Sequence, residues 1–221
     1  MLTAEARWIG ETLNQFDAAK LSPVLNVGSS TADFREHVQP WIEELVFAPL
    51  RNRGVTVHHL DMREGNGIDL HGDLTDDAFL AELRATGYRT LLCCNVLEHV
   101  VGPAAICTQL ERLIPSGGHI VVTVPNRFPY HPDPIDTMFR PDAQQVAALF
   151  PGCDLLEGVT VECGTGWDYV DRSPRALIAR LKRRFSRLQE NGGMGGTTSF
   201  IPWLFRRFLQ TCTLLRKQRS H

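Results

Sequence analysis

Apolar positions along the chain alternate between two spacings, one typical of helices and one typical of strands. Helical spacing covers residues 4–16, 41–53, 76–86, 103–113 and 142–150. Short apolar or β-branched runs between them predict strands at 21–27, 55–60, 67–70, 90–94, 119–124 and 154–163. Strands that alternate with helices indicate an α/β fold. We therefore predict a Rossmann-like, three-layer, doubly wound and mostly parallel sheet.

The C-terminal part of the chain has a different pattern. Residues 175–188 and 200–215 carry apolar side chains at helical intervals, and a glycine-rich stretch, 191–198, separates them. The sequence therefore predicts a main domain over 1–171 and a basic amphipathic helical tail over 172–221. No internal repeat is visible.

The distribution of charged residues also changes at residue 172. Residues 172–221 hold 12 Lys/Arg and one acid, whereas residues 1–171 hold 11 Lys/Arg and 24 acids, within an overall charge of -2. Such a basic segment suits peripheral contact with an anionic membrane, as basic amphipathic helices make. It equally suits packing on the acidic domain or over a substrate cleft. Nucleic acid is the third hypothesis and the least favoured, because the main domain is acidic.

The composition bears on the cellular compartment of the protein. The N-terminal residues mix charges with apolar side chains, unlike a signal peptide, and no apolar run reaches the roughly 20 residues of a membrane span. The six cysteines have no Cys-x-x-Cys pair or finger-like spacing, so we expect no metal site and a reducing compartment. These features predict a cytoplasmic protein, with peripheral binding at the inner membrane surface as an option through the tail.

Polar residues follow several predicted strands where each one ends, which is where open parallel sheets bind ligands. Gly28 lies in the first strand-to-helix turn, where a glycine allows the backbone close to a ligand, and Ser29 and Ser30 add hydroxyls. A Gly-x-Gly-x-x-Gly dinucleotide motif and a P-loop are both absent. The sequence therefore argues against a nicotinamide dehydrogenase and a P-loop enzyme.

Acids after the second and third strands are candidates for binding a nucleoside. Asp61 ends the second strand, where a carboxylate can accept hydrogen bonds from ribose hydroxyls. Asp73 could accept one from an exocyclic amine while Leu74 packs against a base. Asp69 competes with Asp73, although its place between Ile68 and Leu70 suggests a strand residue.

Together these segments resemble the class I S-adenosylmethionine-dependent methyltransferases, in particular small-molecule enzymes of the ubiquinone-biosynthesis type. The resemblance covers roughly residues 20–165 and leaves the tail outside. The segments that carry it are Asn26-Val27-Gly28-Ser29-Ser30, Asp61, Gly72-Asp73-Leu74, Asn95-Val96-Leu97-Glu98-His99-Val100 and Leu113-Ile114-Pro115-Ser116-Gly117-Gly118.

The resemblance implies S-adenosylmethionine as cofactor and a role for each matching position. The first motif departs from the family, because Asn26 stands where an acid is usual and Gly28 is its one glycine. In the implied roles Gly28 and Ser29, beside Asn26, line the methionine and ribose portion, Asp61 holds the ribose, Asp73 and Leu74 flank adenine, and Asn95 with Val96 contacts the methionine part.

The proline-rich loop after the fifth strand is the candidate acceptor side. His131 is the preferred general base because an imidazole titrates near neutral pH, and Asp136 could orient it. Tyr130 and Arg140 are candidates for binding the substrate, Arg140 through an anionic group. The competing interpretation is that His131, Asp136 and Arg140 hold the loop to the domain. His99 is a weaker candidate, and His58 and His59 are expected to be structural.

The sequence thus predicts an enzyme that moves the methyl group of S-adenosylmethionine to a small-molecule or carrier-linked acceptor. The acceptor loop resembles that of enzymes tailoring sugars and secondary metabolites, which favours a hydroxyl. The alternative is a non-catalytic binding or scaffold protein of the same fold, recruited through its basic tail.

Overall fold

The computed structural model describes residues 1–131, 133, 135–169 and 201–219. Within these ranges, strands alternate with helices along most of the chain, as the hydrophobic pattern predicts. The strands are β1 Val24–Val27, β2 Val57–Asp61, β3 Leu70–His71, β4 Thr90–Cys94, β5 His119–Arg127, β6 Cys153–Thr165 and β7 Arg207–Lys217.

These strands form one sheet in the order β3-β2-β1-β4-β5-β7-β6. β1 pairs in parallel with β2 and β4, β2 with β3, and β4 with β5. β7 runs antiparallel to β5. The prediction of a mostly parallel, Rossmann-like sheet is confirmed. Its carboxyl edge therefore brings together the loops that follow β1, β2, β4 and β5.

Local signals in the sequence set several helix ends. Asp76 caps one helix by accepting hydrogen bonds from the backbone N–H groups of Ala78 and Phe79, and Gly87 ends the same helix with φ +70°. The α-helices are α1 Thr3–Asn14, α2 Ala18–Leu21, α3 Ala48–Asn52, α4 Asp77–Thr86, α5 Pro103–Leu113 and α6 Ala143–Ala147; Phe34–Val38 and Glu43–Phe47 are π-helical, and Leu97–His99 and Ile201–Leu204 are 3-10 turns.

Neighbouring strand residues supply the two cores on opposite faces of the sheet. Leu91 and Ile120 pack on the face covered by α4, α5 and α6, and Leu92 and Val121 pack on the face covered by α1 and α3. Strands buried on both faces need continuous apolar runs, as in Thr90–Cys94. The result is the three-layer arrangement that the sequence predicts.

The predicted helix over 200–215 is wrong from residue 207 onward, because β7 occupies that stretch. β7 lies between β5 and β6 and is buried on both faces, so its apolar residues do not alternate. A short, continuous apolar run cannot be assigned to strand or helix by periodicity alone. The β-branched Thr211 and Thr213 favour the strand, and their buried hydroxyls donate hydrogen bonds to Pro141 O and Val122 O.

The described residues form two compact units, Met1–Cys163 with Leu209–His221, and Gly164–Phe208. In the second unit the backbone N–H of Gly166 donates to Trp203 O, and the rings of Trp167 and Phe205 are stacked. The predicted helix over 175–188 and the linker over 191–198 lie outside the described residues. The domain division at 172 and membrane contact through the tail therefore stay predictions. No helix in the described ranges combines the length and apolarity that crossing a membrane requires.

Candidate functional site

The turn after β1 approaches the loop after β4 very closely. Gly28 has φ +67°, and a Cβ built on it would lie 2.5 Å from Val96 Cγ2. The turn is tied to β2 through the Ser29 N–H, which donates to Leu60 O at 2.9 Å. A side chain at this position would clash with Val96, so this left-handed turn requires glycine.

The buried side chain of Arg35, which the sequence analysis did not identify, supports this turn through hydrogen bonds. Arg35 is 4% exposed, and its guanidinium donates to the carbonyl oxygens of Ser29 at 3.2 Å, Ser30 at 2.5 Å and Gly67 at 2.7 Å. Burial lowers the pKa of Arg35. Because these carbonyls point at the guanidinium, the turn is fixed in shape before any ligand arrives.

Asp61 lies at the end of β2 beside the same turn. Its Oδ2 accepts a hydrogen bond from the Ser30 N–H at 2.8 Å, and its Oδ1 accepts one from the Arg63 N–H at 3.1 Å. A carboxylate has about four acceptor sites, so each oxygen keeps one more. The half-buried carboxylate is thereby oriented and still able to accept hydrogen bonds from two vicinal hydroxyls.

Asn26 lies within β1 and is 6% exposed. Its Nδ2 donates to Nδ1 of His59 on β2 at 3.1 Å. Burial and the nearby charge of Arg35 lower the pKa of His59 to about 4. The pair is therefore neutral, and it joins the first two strands below the turn, as expected for a structural His59.

The depressed pKa of His59 predicts that the protein loses stability in acid. The unfolded chain, with a histidine pKa near 6.5, binds the proton more readily than the folded chain does between pH 6.5 and about 4. The contribution of His59 to the free energy of unfolding is therefore fully present above pH 6.5 and falls as the pH drops toward 4, by up to about 3 kcal/mol. Urea unfolding between pH 7.5 and 4.5 measures this slope.

His59→Gln should remove this contribution from the slope, because glutamine keeps an acceptor for Asn26 and does not titrate. His37→Gln is the control, since the His37 side chain is 73% exposed and faces Asp33 on the surface. An unchanged slope in His59→Gln would assign the acid sensitivity to another group.

The predicted adenine contacts lie at the next loop along the edge. Asp73 is exposed and accepts a hydrogen bond from the Thr75 N–H at 2.8 Å, while Leu74 is 7% exposed and packs into the core. The competing Asp69 lies just before β3, and its Oδ2 accepts the His59 N–H at 2.7 Å. Asp69 thus serves the backbone of β2, which leaves Asp73 as the better candidate.

The loop after β4 begins with Asn95, which has φ +55°. Its Nδ2 donates to Oε1 of Glu5 at 2.6 Å, and its Oδ1 accepts from Gln210 Nε2 at 3.1 Å. Glu5 on α1 is fully buried and also accepts hydrogen bonds from the Thr123 hydroxyl at 2.6 Å and the Leu2 N–H at 2.8 Å. A carboxylate from the first helix therefore sets the conformation of Asn95.

Three residues further on, Glu98 lies between two imidazoles. Its side chain is 0% exposed, and its Oε1 is 3.8 Å from His99 Nε2 and 3.9 Å from His131 Nε2. Neither carboxylate oxygen has a hydrogen-bond partner among the described residues. Burial raises the pKa of Glu98 to about 8.

The acceptor loop is organised around Asp136. Its carboxylate accepts hydrogen bonds from the His131 N–H at 3.0 Å, the Met138 N–H at 2.8 Å and both Nη atoms of Arg140 at 3.1 and 2.7 Å. Burial would raise the pKa of Asp136, but these hydrogen bonds outweigh it and hold the pKa below its usual range. Asp136 Oδ2 also lies 3.1 Å from His131 Nδ1. Burial lowers the pKa of His131.

The chain is similar in sequence to part of a known methyltransferase. No family model matches the chain. The ubiquinone biosynthesis O-methyltransferase of Leptothrix cholodnii is 27% identical over 123 residues, which are 55% of this chain and 51% of that protein. The chain therefore spans about half the length of this curated relative.

Structural similarity to solved proteins establishes the fold. A Galdieria sulphuraria structure assigned as a sarcosine dimethylglycine methyltransferase has a TM-score of 0.56 at 13% identity, covering 98% of this chain and 85% of that one. Coclaurine N-methyltransferase bound to N-methylheliamine and S-adenosylhomocysteine gives 0.56 at 15% identity, covering 96% and 69%. The chain has the class I S-adenosylmethionine-dependent methyltransferase fold.

In this methyltransferase fold, the predicted residues fall into two groups. The first group, around the ends of β1, β2, β3 and β4, contains the predicted cofactor residues. The second, on the loop after β5, contains His131, Asp136, Tyr130 and Arg140. Tyr130 is 62% exposed. The Nη atoms of Arg140 are engaged by Asp136, so its predicted contact with an anionic substrate stays a prediction.

The sequence analysis did not identify three charged residues that shape the candidate site: Glu5, Arg35 and Glu98. Each is buried, and Glu5 and Arg35 each have a partner on a distant segment, Asn95 and Gly67 respectively. Glu98 carried a weak signal, since it belongs to the Leu-Glu-His-Val segment that supports the resemblance.

Proposed function

We propose that the chain binds S-adenosylmethionine at the carboxyl edge of β1, β2, β3 and β4. The observation that carries this proposal is Asp61, whose carboxylate is oriented by two backbone N–H groups and keeps two acceptor sites for vicinal ribose hydroxyls. Gly28 and Ser29 would line the methionine and ribose portion beside Asn26. Asp73 and Leu74 would flank the adenine, and the remaining contacts with methionine would come from Asn95 and Val96.

We propose that the bound cofactor donates its methyl group to a small-molecule or carrier-linked acceptor. The acceptor oxygen forms the new bond to the methyl carbon while the carbon–sulfur bond breaks, and that electron pair stays on sulfur. The hydroxyl proton passes to Nε2 of His131, and Asp136 orients the imidazole through Nδ1. Chain residues thus contribute alignment of the two reactants and removal of one proton.

A hydroxyl of a sugar or secondary metabolite is the proposed acceptor. The curated relative is named an O-methyltransferase, which supports oxygen as the nucleophile. Tyr130 is a candidate contact, because its ring is exposed directly beside His131. In Arg140, Nε has no hydrogen-bond partner among the described residues and could donate to an anionic group on the acceptor.

Isothermal titration with S-adenosylmethionine and S-adenosylhomocysteine tests the cofactor site. Asp61→Ala should weaken the binding of both by about 10- to 100-fold, because hydrogen bonds to a charged group contribute about 1.5–3 kcal/mol. Glu64→Ala is a matched control in the same loop, since its side chain is 85% exposed. Circular dichroism checks that both variants fold.

Two results would contradict the proposal. Equal binding by Asp61→Ala and the unmodified chain would remove Asp61 from the site. Absence of binding to either ligand by the unmodified chain would reject the methyl-transfer function and favour the non-catalytic scaffold.

A further inference from the structure

Ser30, in the turn after β1, has a backbone conformation that serine rarely adopts. Its φ is +54°, in the left-handed region that favours glycine. A single non-glycine residue in this region is disfavoured by a factor of about 5–30. Such a residue keeps its conformation only where surrounding contacts hold it in place.

Two charged side chains hold the backbone of Ser30 through its two polar groups. Its N–H donates a hydrogen bond to Asp61 Oδ2 at 2.8 Å, and its carbonyl oxygen accepts one from Nη1 of Arg35. The Ser29 hydroxyl donates to the same carbonyl oxygen at 3.0 Å. Hydrogen bonds to charged groups are about twice as strong as those between neutral groups. These contacts therefore offset the strain at Ser30.

Arg35 joins this turn to the loop after β2. Nη1 also donates to Ser29 O at 3.2 Å, whereas Nη2 donates to Gly67 O at 2.7 Å. The two segments pack closely here, because a Cβ built on Gly67 would lie 3.0 Å from Nη2 and 2.4 Å from Ala32 Cβ. The guanidinium therefore cannot shift without moving one of the two segments that flank Asp61.

The setting of Arg35 is unusual for an arginine. The residue is 4% exposed and belongs to the π-helical turn Phe34–Val38, which the Gln39 N–H closes by donating to Phe34 O at 2.8 Å. Turns of this kind are rare and frequently occur at functional sites. A buried charge is costly unless it is fully hydrogen-bonded. A side chain that served only to fill this space would not need the charge.

From these contacts we propose that Arg35 is a positioning residue for S-adenosylmethionine, acting through Ser30. The left-handed Ser30 directs its N–H at Asp61, and this hydrogen bond orients the carboxylate for the ribose hydroxyls. The role rests on the proposed function, in which Asp61 binds the ribose. The guanidinium thus keeps in a serine the conformation that a glycine at position 30 would adopt without help.

A double-mutant cycle between residues 35 and 30, measured by isothermal titration with S-adenosylhomocysteine, tests this role. Arg35→Met keeps an unbranched side chain without donors and should weaken binding by about 10- to 100-fold. Adding Ser30→Gly should recover about 5- to 30-fold, because glycine is not strained in the left-handed region. The same glycine should gain much less in the unmodified chain, where Arg35 already holds residue 30. An arginine that only stabilised the fold would show no such coupling.

Amide hydrogen exchange at residue 30 gives a second measurement that needs no ligand. Arg35→Met should exchange this N–H at least about 10-fold faster than the unmodified chain, and Ser30→Gly in that background should slow it again. If Arg35→Met does not fold, Arg35→Lys replaces it in the cycle, because an ammonium keeps the charge and lacks the planar fork that reaches both segments. Arg84→Met, at an exposed arginine of α4, is the control and should bind as the unmodified chain does.

The outcomes separate this role from the proposed function. Full affinity for S-adenosylhomocysteine in a folded Arg35 variant would overturn the role, and so would a loss that Ser30→Gly does not repair. Absence of binding by the unmodified chain, with the coupling in hydrogen exchange intact, would instead reject methyl transfer and leave Arg35 as the support of Ser30.

Discussion

Gly28→Ala is expected to reduce binding of S-adenosylmethionine at least about 100-fold and to lower the free energy of unfolding by about 2–5 kcal/mol. Two effects add up. An alanine at φ +67° is strained by about 1–2 kcal/mol, and its Cβ would lie 2.5 Å from Val96 Cγ2, so the turn or the loop after β4 must move at a further cost of about 1–3 kcal/mol. Urea unfolding and isothermal titration measure the two losses.

Gly117→Ala is the control that distinguishes backbone strain from the steric clash with Val96. Gly117 has φ +80°, and no heavy atom lies within 4 Å of a Cβ built there, so this variant should show the strain alone and bind the cofactor normally. Adding Val96→Ala to Gly28→Ala should restore part of the lost stability by removing the clash. Normal cofactor binding by Gly28→Ala would mean that the turn after β1 does not approach the ligand.

Asp136→Ala is expected to destabilise the protein by about 3–5 kcal/mol. The variant leaves the guanidinium of Arg140, 12% exposed, without its carboxylate, and two backbone N–H groups lose their acceptor. The acceptor loop should then open, which hydrogen exchange at His131 and Met138 would detect. Urea unfolding measures the total loss.

Asp133→Ala is the matched control on the same loop, because the Asp133 side chain is 76% exposed and faces Arg63 at 3.5 Å. A change of less than about 0.5 kcal/mol is expected there. Combining Asp136→Ala with Arg140→Met should recover much of the stability, since replacing both members of a buried pair leaves no charge behind. A small effect of Asp136→Ala alone would show that the loop is held by other contacts.

Elements whose ends are marked by local chemistry could be predicted from the sequence. The bounds of β4 and α5 match the predicted ranges, 90–94 and 103–113. At α5, Pro103 occupies the first turn, where its missing N–H has no cost. Asp61 was found in the same way, because a strand end is visible as the point where an apolar run stops.

The remaining features depend on contacts between segments far apart in sequence. β7 is buried on both faces of the sheet, so its pattern lacks the polar alternation that marks a half-exposed strand. Glu5 and Arg35 resemble ordinary surface charges of amphipathic helices. Nothing local indicates that Glu5 reaches Asn95 and Thr123, or that Arg35 reaches the carbonyl of Gly67.

The two-sided support of Asn95 has a consequence for synthesis on the ribosome. Glu5 holds its amide nitrogen and Gln210 holds its amide oxygen, and these partners are 90 and 115 residues away in sequence. A nascent chain that has exposed β1, β2 and β4 still lacks one of these two anchors. Asn95 therefore gains its full support only after Gln210 has left the exit tunnel and β7 has entered the sheet.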